Sequence, residues 1–328
     1  MLTVVMYHYV RDLPASRFPR IKGLDRALFR GQLDYLAKHY TIVGCDEVVA
    51  AWSGQSPLPP RAALLTFDDG FIDHFSVVTP ELLERSWRGA FYPMGMATSE
   101  RRLADVHRIH FLLASVEDDR TLYTQLLGLI DELRPQFGLE PTELLTHRFL
   151  AANRLGDSPE TNFVKRVLQK GLPEAARSQI LDVLFRRHVT TDEAAFADEL
   201  YVDADMLRQM HGAGMHIGNH AWSHRWLTEL SIDEAREEIK RADNLLTALG
   251  VPVTGRTICY PYGNSNPAVE AIVAEMGYAL GFSSRFDLGE PGRDRLTIPR
   301  LDTNHLPKSG AAPANEWTTK VSMPMVLA

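Results

Sequence analysis

An apolar run from Ala62 to Phe67 stops abruptly at Asp68-Asp69-Gly70. A short apolar run closed by a turn signal reads as a buried strand, so both acids stand where that strand leaves the core. In α/β folds this is the edge at which ligand sites are built. Adjacent carboxylates repel and need a cation, a proton or a solvated exit. By itself Asp-Asp-Gly also fits a solvated turn closed by an Asx-type hydrogen bond.

The neighbouring segments fix the class of fold. Residues 2–7 are a second apolar strand, ending at Tyr7-His8-Tyr9, so His8 shares the strand-exit position of the two aspartates. Asp25 opens a helix with Leu28, Phe29, Leu33, Leu36 and Tyr40 on one face. Further strands are predicted at Thr41–Gly44 and 89–92, with a helix over about 76–87 between the acids and the latter. Strand and helix alternate, which implies a parallel sheet. From about 100 to 200 strand signals vanish and helical patterns follow one another, at 104–116, 121–134, 141–153, 160–170, 174–188 and 191–199. The alternation then resumes: a helix at Asp203–His211, a strand at Met215–Asn219, and a helix over 232–249 opened by a Ser231/Glu234 capping box. Strands follow at Arg256–Tyr260, Ala279–Ser283 and Leu296–Leu301. The expected organisation is one α/β domain over 1–306, interrupted by a helical insertion at about 100–200, with a loose tail over 307–328.

Composition excludes several classes. A net charge of −7 leaves no basic excess with which to neutralise nucleic-acid phosphates. No apolar stretch is long enough to cross a bilayer. Met1 to His8 lacks a basic start and a long apolar core, and two cysteines give no disulfide framework, so a cytoplasmic location is expected. Arg17, Arg20 and Lys22 sit in a loop where they meet solvent or an anionic ligand; His107 and His110 share a helix face as surface histidines or a metal pair.

The chemistry is carried by His220-Ala221-Trp222-Ser223-His224. Two histidines four apart present both imidazoles to one ion if the segment turns as a helix after the strand end. Together with a strand-end carboxylate they supply two histidines and one acid, a recurrent catalytic metal set with open positions. The other aspartate is then available as a general base.

These residues resemble the polysaccharide deacetylases of carbohydrate esterase family 4, the NodB homology domain. Thr66-Phe67-Asp68-Asp69-Gly70 matches the first family motif, His220 to His224 resembles the second with Ala221 in place of Ser or Thr, and Tyr260-Pro261-Tyr262-Gly263 resembles the third. The resemblance implies a distorted (β/α)7-type barrel, a divalent metal (usually zinc), a carbohydrate substrate and hydrolysis of an N-acetyl or O-acetyl group. Carried over by position, Asp68 is the general base, and Asp69, His220 and His224 bind the metal. The backbone N–H of Tyr262 faces the oxyanion. A terminal histidine supplies the leaving group's proton in the family; His305 is the expected acid, with His8 its rival. The third motif's arginine falls on Cys259, a small buried residue, and Arg300 is expected to replace it from another strand end. Two other readings remain: a metal-dependent amidohydrolase acting on a small cyclic amide, and a catalytically silent binding protein. The oligomeric state is open.

Overall fold

The computed structural model describes residues 1–151 and 156–322. Seven parallel strands form a closed ring: β1 (Leu2–Tyr7), β2 (Ala62–Asp69), β3 (Ala90–Pro93), β4 (His216–Ile217), β5 (Thr257–Cys259), β6 (Leu280–Phe282) and β7 (Leu301–Asp302). β1 and β2 are buried along their whole length, which explains their continuous apolar sequence: a parallel strand is covered on both faces. They pair from Leu2↔Ala62 to Tyr7↔Phe67, and β2 continues against β3 as far as Asp69↔Pro93. Further pairing joins β3 to β4, β5 to β6, and β7 to β1. Two joints are single parallel bridges, Asn219↔Ile258 between β4 and β5, and Phe282↔Ile298 between β6 and the segment entering β7. The ring is the expected distorted (β/α)7-type barrel. At the narrow β4 joint Gly218 is required, because a Cβ there would lie 2.3 Å from the Tyr92 ring.

The helix Arg26–His39 is capped by the Asp25 side chain and buries Phe29, Leu33 and Leu36, while Leu28 is left exposed. The helix Ile232–Ala248 starts at the Ser231/Glu234 capping box. Two expectations are corrected. Residues 220–226 are not helical, so the histidine pair is presented by a loop. The tail is not loose over its described part: Glu316–Ser322 is a helix, and its buried Thr318 bonds the hydroxyls of Tyr35 and Tyr40 at 2.7 and 2.8 Å. Positions 323–328 of that tail lie outside the described residues.

The chain divides into two compact units, one comprising 1–12, 23–101 and 198–328, the other 13–22 and 102–197. The first is the barrel. The second has its own core, in which Ile109, Leu126, Ile130, Phe163, Ile180 and Leu184 meet. Its helices include Asp105–Ser115, Asp119–Phe137, Thr142–Phe149, Pro159–Arg166 and Glu174–His188. Positions 152 and 153 of the helix expected over 141–153 are outside the described residues. Loop cations find partners within this unit: Arg17 lies over Phe18 and Phe196, Arg20 donates to the Val116 carbonyl, and Lys22 pairs with Asp157. The His107 and His110 rings are 5.9 Å apart.

Candidate active site

The site is built at the carboxyl ends of the strands. Neighbouring residues of a strand point to opposite faces, so Asp68 and Asp69 diverge. Asp69 and Gly70 then adopt left-handed backbone (φ 76° and 70°), turning the chain out of the sheet. Ala221, His224 and Tyr262 are also left-handed, at φ 58°, 59° and 59°. Such a conformation costs an L-residue roughly 1–2 kcal/mol. Among the described residues, four of the eight non-glycine positions with positive φ belong to these site segments, so strain is concentrated where side chains are aimed.

Asp69, His220 and His224 are brought together. All three are buried, and one ligand atom from each lies within 4.8 Å of the others. His220 Nε2 is 3.2 Å and His224 Nε2 3.4 Å from Asp69 Oδ1. His220 Nδ1 lies 2.7 Å from the Cys259 carbonyl. A carbonyl only accepts, so Nδ1 carries the proton and the Nε2 lone pair faces Asp69, the orientation that second-shell partners impose on metal ligands. Burial disfavours a charged imidazole at His220, yet the hydrogen bond and charge of Asp69 together with the charge of Asp68 raise its pKa. A place that attracts a proton between two acids is a place that attracts a cation. Two imidazole nitrogens and one carboxylate oxygen, converging and shielded from water, therefore fit a divalent metal.

Asp68 is held differently. Arg300, itself fully buried, reaches both its oxygens: Nη1 to Oδ1 at 2.9 Å and Nη2 to Oδ2 at 2.8 Å. Burial pushes the Asp68 carboxyl up, but the Arg300 guanidinium outweighs it, with smaller help from His220 and His8, and the pKa falls to about 2. Arg300 is fixed in turn by Nε donating to the Ser283 carbonyl and Nη1 to Thr66 Oγ1, at 2.9 and 3.2 Å. Cys259 Sγ is 3.2 Å from the same Nη1. A small side chain at position 259 leaves room for a guanidinium arriving from the β7 segment. Burial pushes the Cys259 thiol well up, so it stays protonated.

His8 Nε2 lies 4.0 Å from Asp68 Oδ2, and the His8 side chain is 42% exposed. His305 is not brought to the acids. Its Nδ1 accepts from the Asp302 N–H at 3.1 Å, and its ring packs 4.4 Å from Phe286 and 6.0 Å from Trp317. Tyr262 stands in the turn after β5, its ring 4.5 Å from His224 and stacked on Trp226 at 4.0 Å. Gly263 beside it is confined by Ser284, whose Cβ would lie 2.2 Å from an added Cβ.

Sequence reasoning did not find the residues that secure the histidine loop. Asn219 Oδ1 accepts from the Ala221 N–H at 2.7 Å, and its amide reaches Tyr278 Oη at 2.6 Å and the Ile239 carbonyl at 3.0 Å. Glu238 accepts from the loop's next two N–H groups. The one available signal was the position of Asn219 directly before His220.

The closed parallel barrel thus gathers Asp68, Asp69, His8, His220 and His224 at the carboxyl ends of its strands. The family model "Polysaccharide deacetylase" matches residues 171–281, about a third of the chain, a stretch that holds the second and third motif-like segments, and the resemblance read from the motifs is borne out to that extent. The poly-beta-1,6-N-acetyl-D-glucosamine N-deacetylase of Escherichia coli K12 is 30% identical over 92 residues, covering 28% of this chain and 13% of that protein. An uncharacterized 30.6 kDa protein of Geobacillus stearothermophilus is 31% identical over 105 residues, 32% of this chain and 38% of the relative. The matches thus span well under two thirds of either relative's length. Among solved structures, the Streptococcus pyogenes deacetylase PplD in complex with acetate gives a TM-score of 0.58 at 15% identity, with 98% of each chain covered. IcaB from Ammonifex degensii gives 0.55 at 17% identity, covering 98% of this chain and 97% of the other. At such identities the shared property is the fold.

Proposed function

We propose that this chain is a metal-dependent deacetylase that removes an acetyl group, in the first instance N-acetyl, from a sugar in a polysaccharide, an oligosaccharide or a glycoconjugate precursor. The observation that carries this reading is the buried convergence of Asp69, His220 and His224 beside a carboxylate, Asp68, that is kept separate and ionised by Arg300. Asp69 Oδ1 and the Nε2 atoms of His220 and His224 would hold the ion, zinc being the first candidate for such a donor set. When bound, a divalent ion supplies Lewis-acid polarisation of the acetyl carbonyl and acidifies water.

Asp68, anionic at neutral pH and locked in orientation by the bidentate guanidinium, takes the proton of the attacking water. Its low pKa keeps it unprotonated at neutral pH and also makes it a weak base, so proton transfer to it depends on the water being acidified. His8, half-exposed at the mouth of the site, donates to the departing amine. The Tyr262 N–H donates to the carbonyl oxygen as negative charge develops there.

Purified protein is assayed for bound metal and for acetate release from poly-beta-1,6-N-acetyl-D-glucosamine, the polymer named for the Escherichia coli relative, alongside other acetamido sugars and cyclic amides. Stoichiometric divalent metal with acetate release that is lost in Asp69→Ala and His224→Ala supports the proposal. Turnover of cyclic amides alone favours the amidohydrolase reading, and a protein that takes up no metal under any loading favours a silent binding protein.

A further inference from the structure

The loop that delivers His224 has no regular secondary structure and carries left-handed backbone at both Ala221 and His224. A segment of that kind holds one geometry only when its surroundings over-determine it. The neighbouring helix Ile232–Ala248 meets this need with one buried side chain. Glu238 Oε2 accepts from the backbone N–H of Trp222 at 3.2 Å and of Ser223 at 2.8 Å, while Oε1 accepts from Ser223 Oγ at 2.7 Å. One carboxylate therefore grips the two residues immediately before His224. The opposite side of the loop is pinned by the Met96 N–H on the Trp222 carbonyl at 2.8 Å, and by Trp222 lying so close over Gly95 that a Cβ there would meet its ring at 2.3 Å.

Building on the metal-site reading above, we propose that Glu238 is a positioning residue for the metal set. It holds the loop so that His224 Nε2 stays beside Asp69, and it thereby sets the affinity of the site for a divalent ion. Glu238 touches neither ion nor substrate in this scheme and acts through His224.

The test titrates the whole chain described above with Zn2+ against a chromophoric chelator, records the visible band of the Co2+-loaded protein, and follows thermal melting without metal. Three variants are compared with wild type. Glu238→Ala removes all three acceptor contacts and should weaken Zn2+ binding by about tenfold or more, the range seen when outer-shell partners of metal ligands are lost, with an altered Co2+ band. Glu238→Gln keeps one oxygen for the two N–H groups and lets the Ser223 hydroxyl rotate to accept from its amide, so affinity and band should recover most of the way. Ser223→Ala deletes only the hydroxyl contact and should weaken Zn2+ a few-fold; it carries the test if Glu238→Ala does not fold. A purely structural role predicts a lower melting temperature with unchanged Zn2+ affinity and Co2+ band, and that result, or unchanged affinity in the folded Ser223→Ala protein, overturns the proposal. Wild-type protein that binds neither ion would instead bring down the metal reading, and this inference with it.

Discussion

Replacing Arg300 by methionine gives the sharpest test of how the base is organised. Wild-type Asp68 is 2% exposed, and Arg300 holds it against the pull of burial at a pKa of about 2. A folded pKa below the unfolded value contributes stability that is complete above the unfolded pKa, near 3.9, and is lost as pH falls through about 2. The shift corresponds to roughly 2–3 kcal/mol at neutral pH. In Arg300→Met the guanidinium is gone and burial outweighs the smaller pull of His220 and His8, so the Asp68 pKa moves above the unfolded value. Keeping that charge buried then costs the fold at neutral pH, and the cost is relieved as acid protonates it. Removing one partner of a buried pair costs roughly 3–5 kcal/mol. Urea denaturation at pH 7 should therefore show a loss of that order, and the gap between variant and wild type should narrow between pH 7 and pH 4. Asp68→Asn in the same background should recover much of the loss, because the uncompensated charge is gone. A difference that stays constant with pH, or a loss below about 1 kcal/mol, would refute the argument that Arg300 serves Asp68.

Three further outcomes are expected. His8→Ala should lower kcat for acetate release by roughly 10²–10⁴-fold, the usual contribution of a general acid, whereas His305→Ala leaves the rate near wild type; the reverse ranking would move the acid to β7. Chelation should abolish acetate release and lower the melting temperature, with about 4 kcal/mol of stability returning when ion is restored at a thousandfold its dissociation constant; a melt indifferent to chelator would contradict the site. Cys259→Ala should keep kcat within a few-fold, since the thiol stays protonated, and a collapse in rate with intact fold would make it a participant.

Where sequence and structure agree, the reason is local. The apolar run into Asp68-Asp69-Gly70 predicts a strand and its exit because full burial demands that composition on both faces. The contact of Arg300 with Asp68 was anticipated because Cys259 stands where the resembling motif has an arginine and a strand end is a strand end wherever it falls in the chain. The rest depended on long-range placement. His220 and His224 look helical by spacing, yet two left-handed residues bring them together in a loop, and φ is not written in the identities Ala and His. That His8 stands 4.0 Å from Asp68 while His305 packs against Phe286 and Trp317 depends on which strand ends are neighbours and which rings dock there, and neither is written locally in the chain. Glu238 was invisible because an acid on an amphipathic helix normally faces water, and only the docked loop gives it three donors.

The single-bridge joint between β4 and β5 gives His220 a second occupation. Its ring faces Asp69 on β2, springs from the residue after the Asn219↔Ile258 bridge, and is bonded across that joint to the Cys259 carbonyl. Beside the ligand role proposed for it, it is a rivet, pinning three staves of the barrel at one of its two single-bridge joints. His224, on the loop beyond, stands against Asp69 and the Tyr262 ring instead. His220→Ala should accordingly loosen the seam, read as faster amide exchange at Cys259, whose N–H bonds the Asn219 carbonyl, while His224→Ala leaves that amide protected. Equal protection in both variants would reduce His220 to its ligand role. If the rivet holds, filling the metal site and closing the barrel are one energetic event.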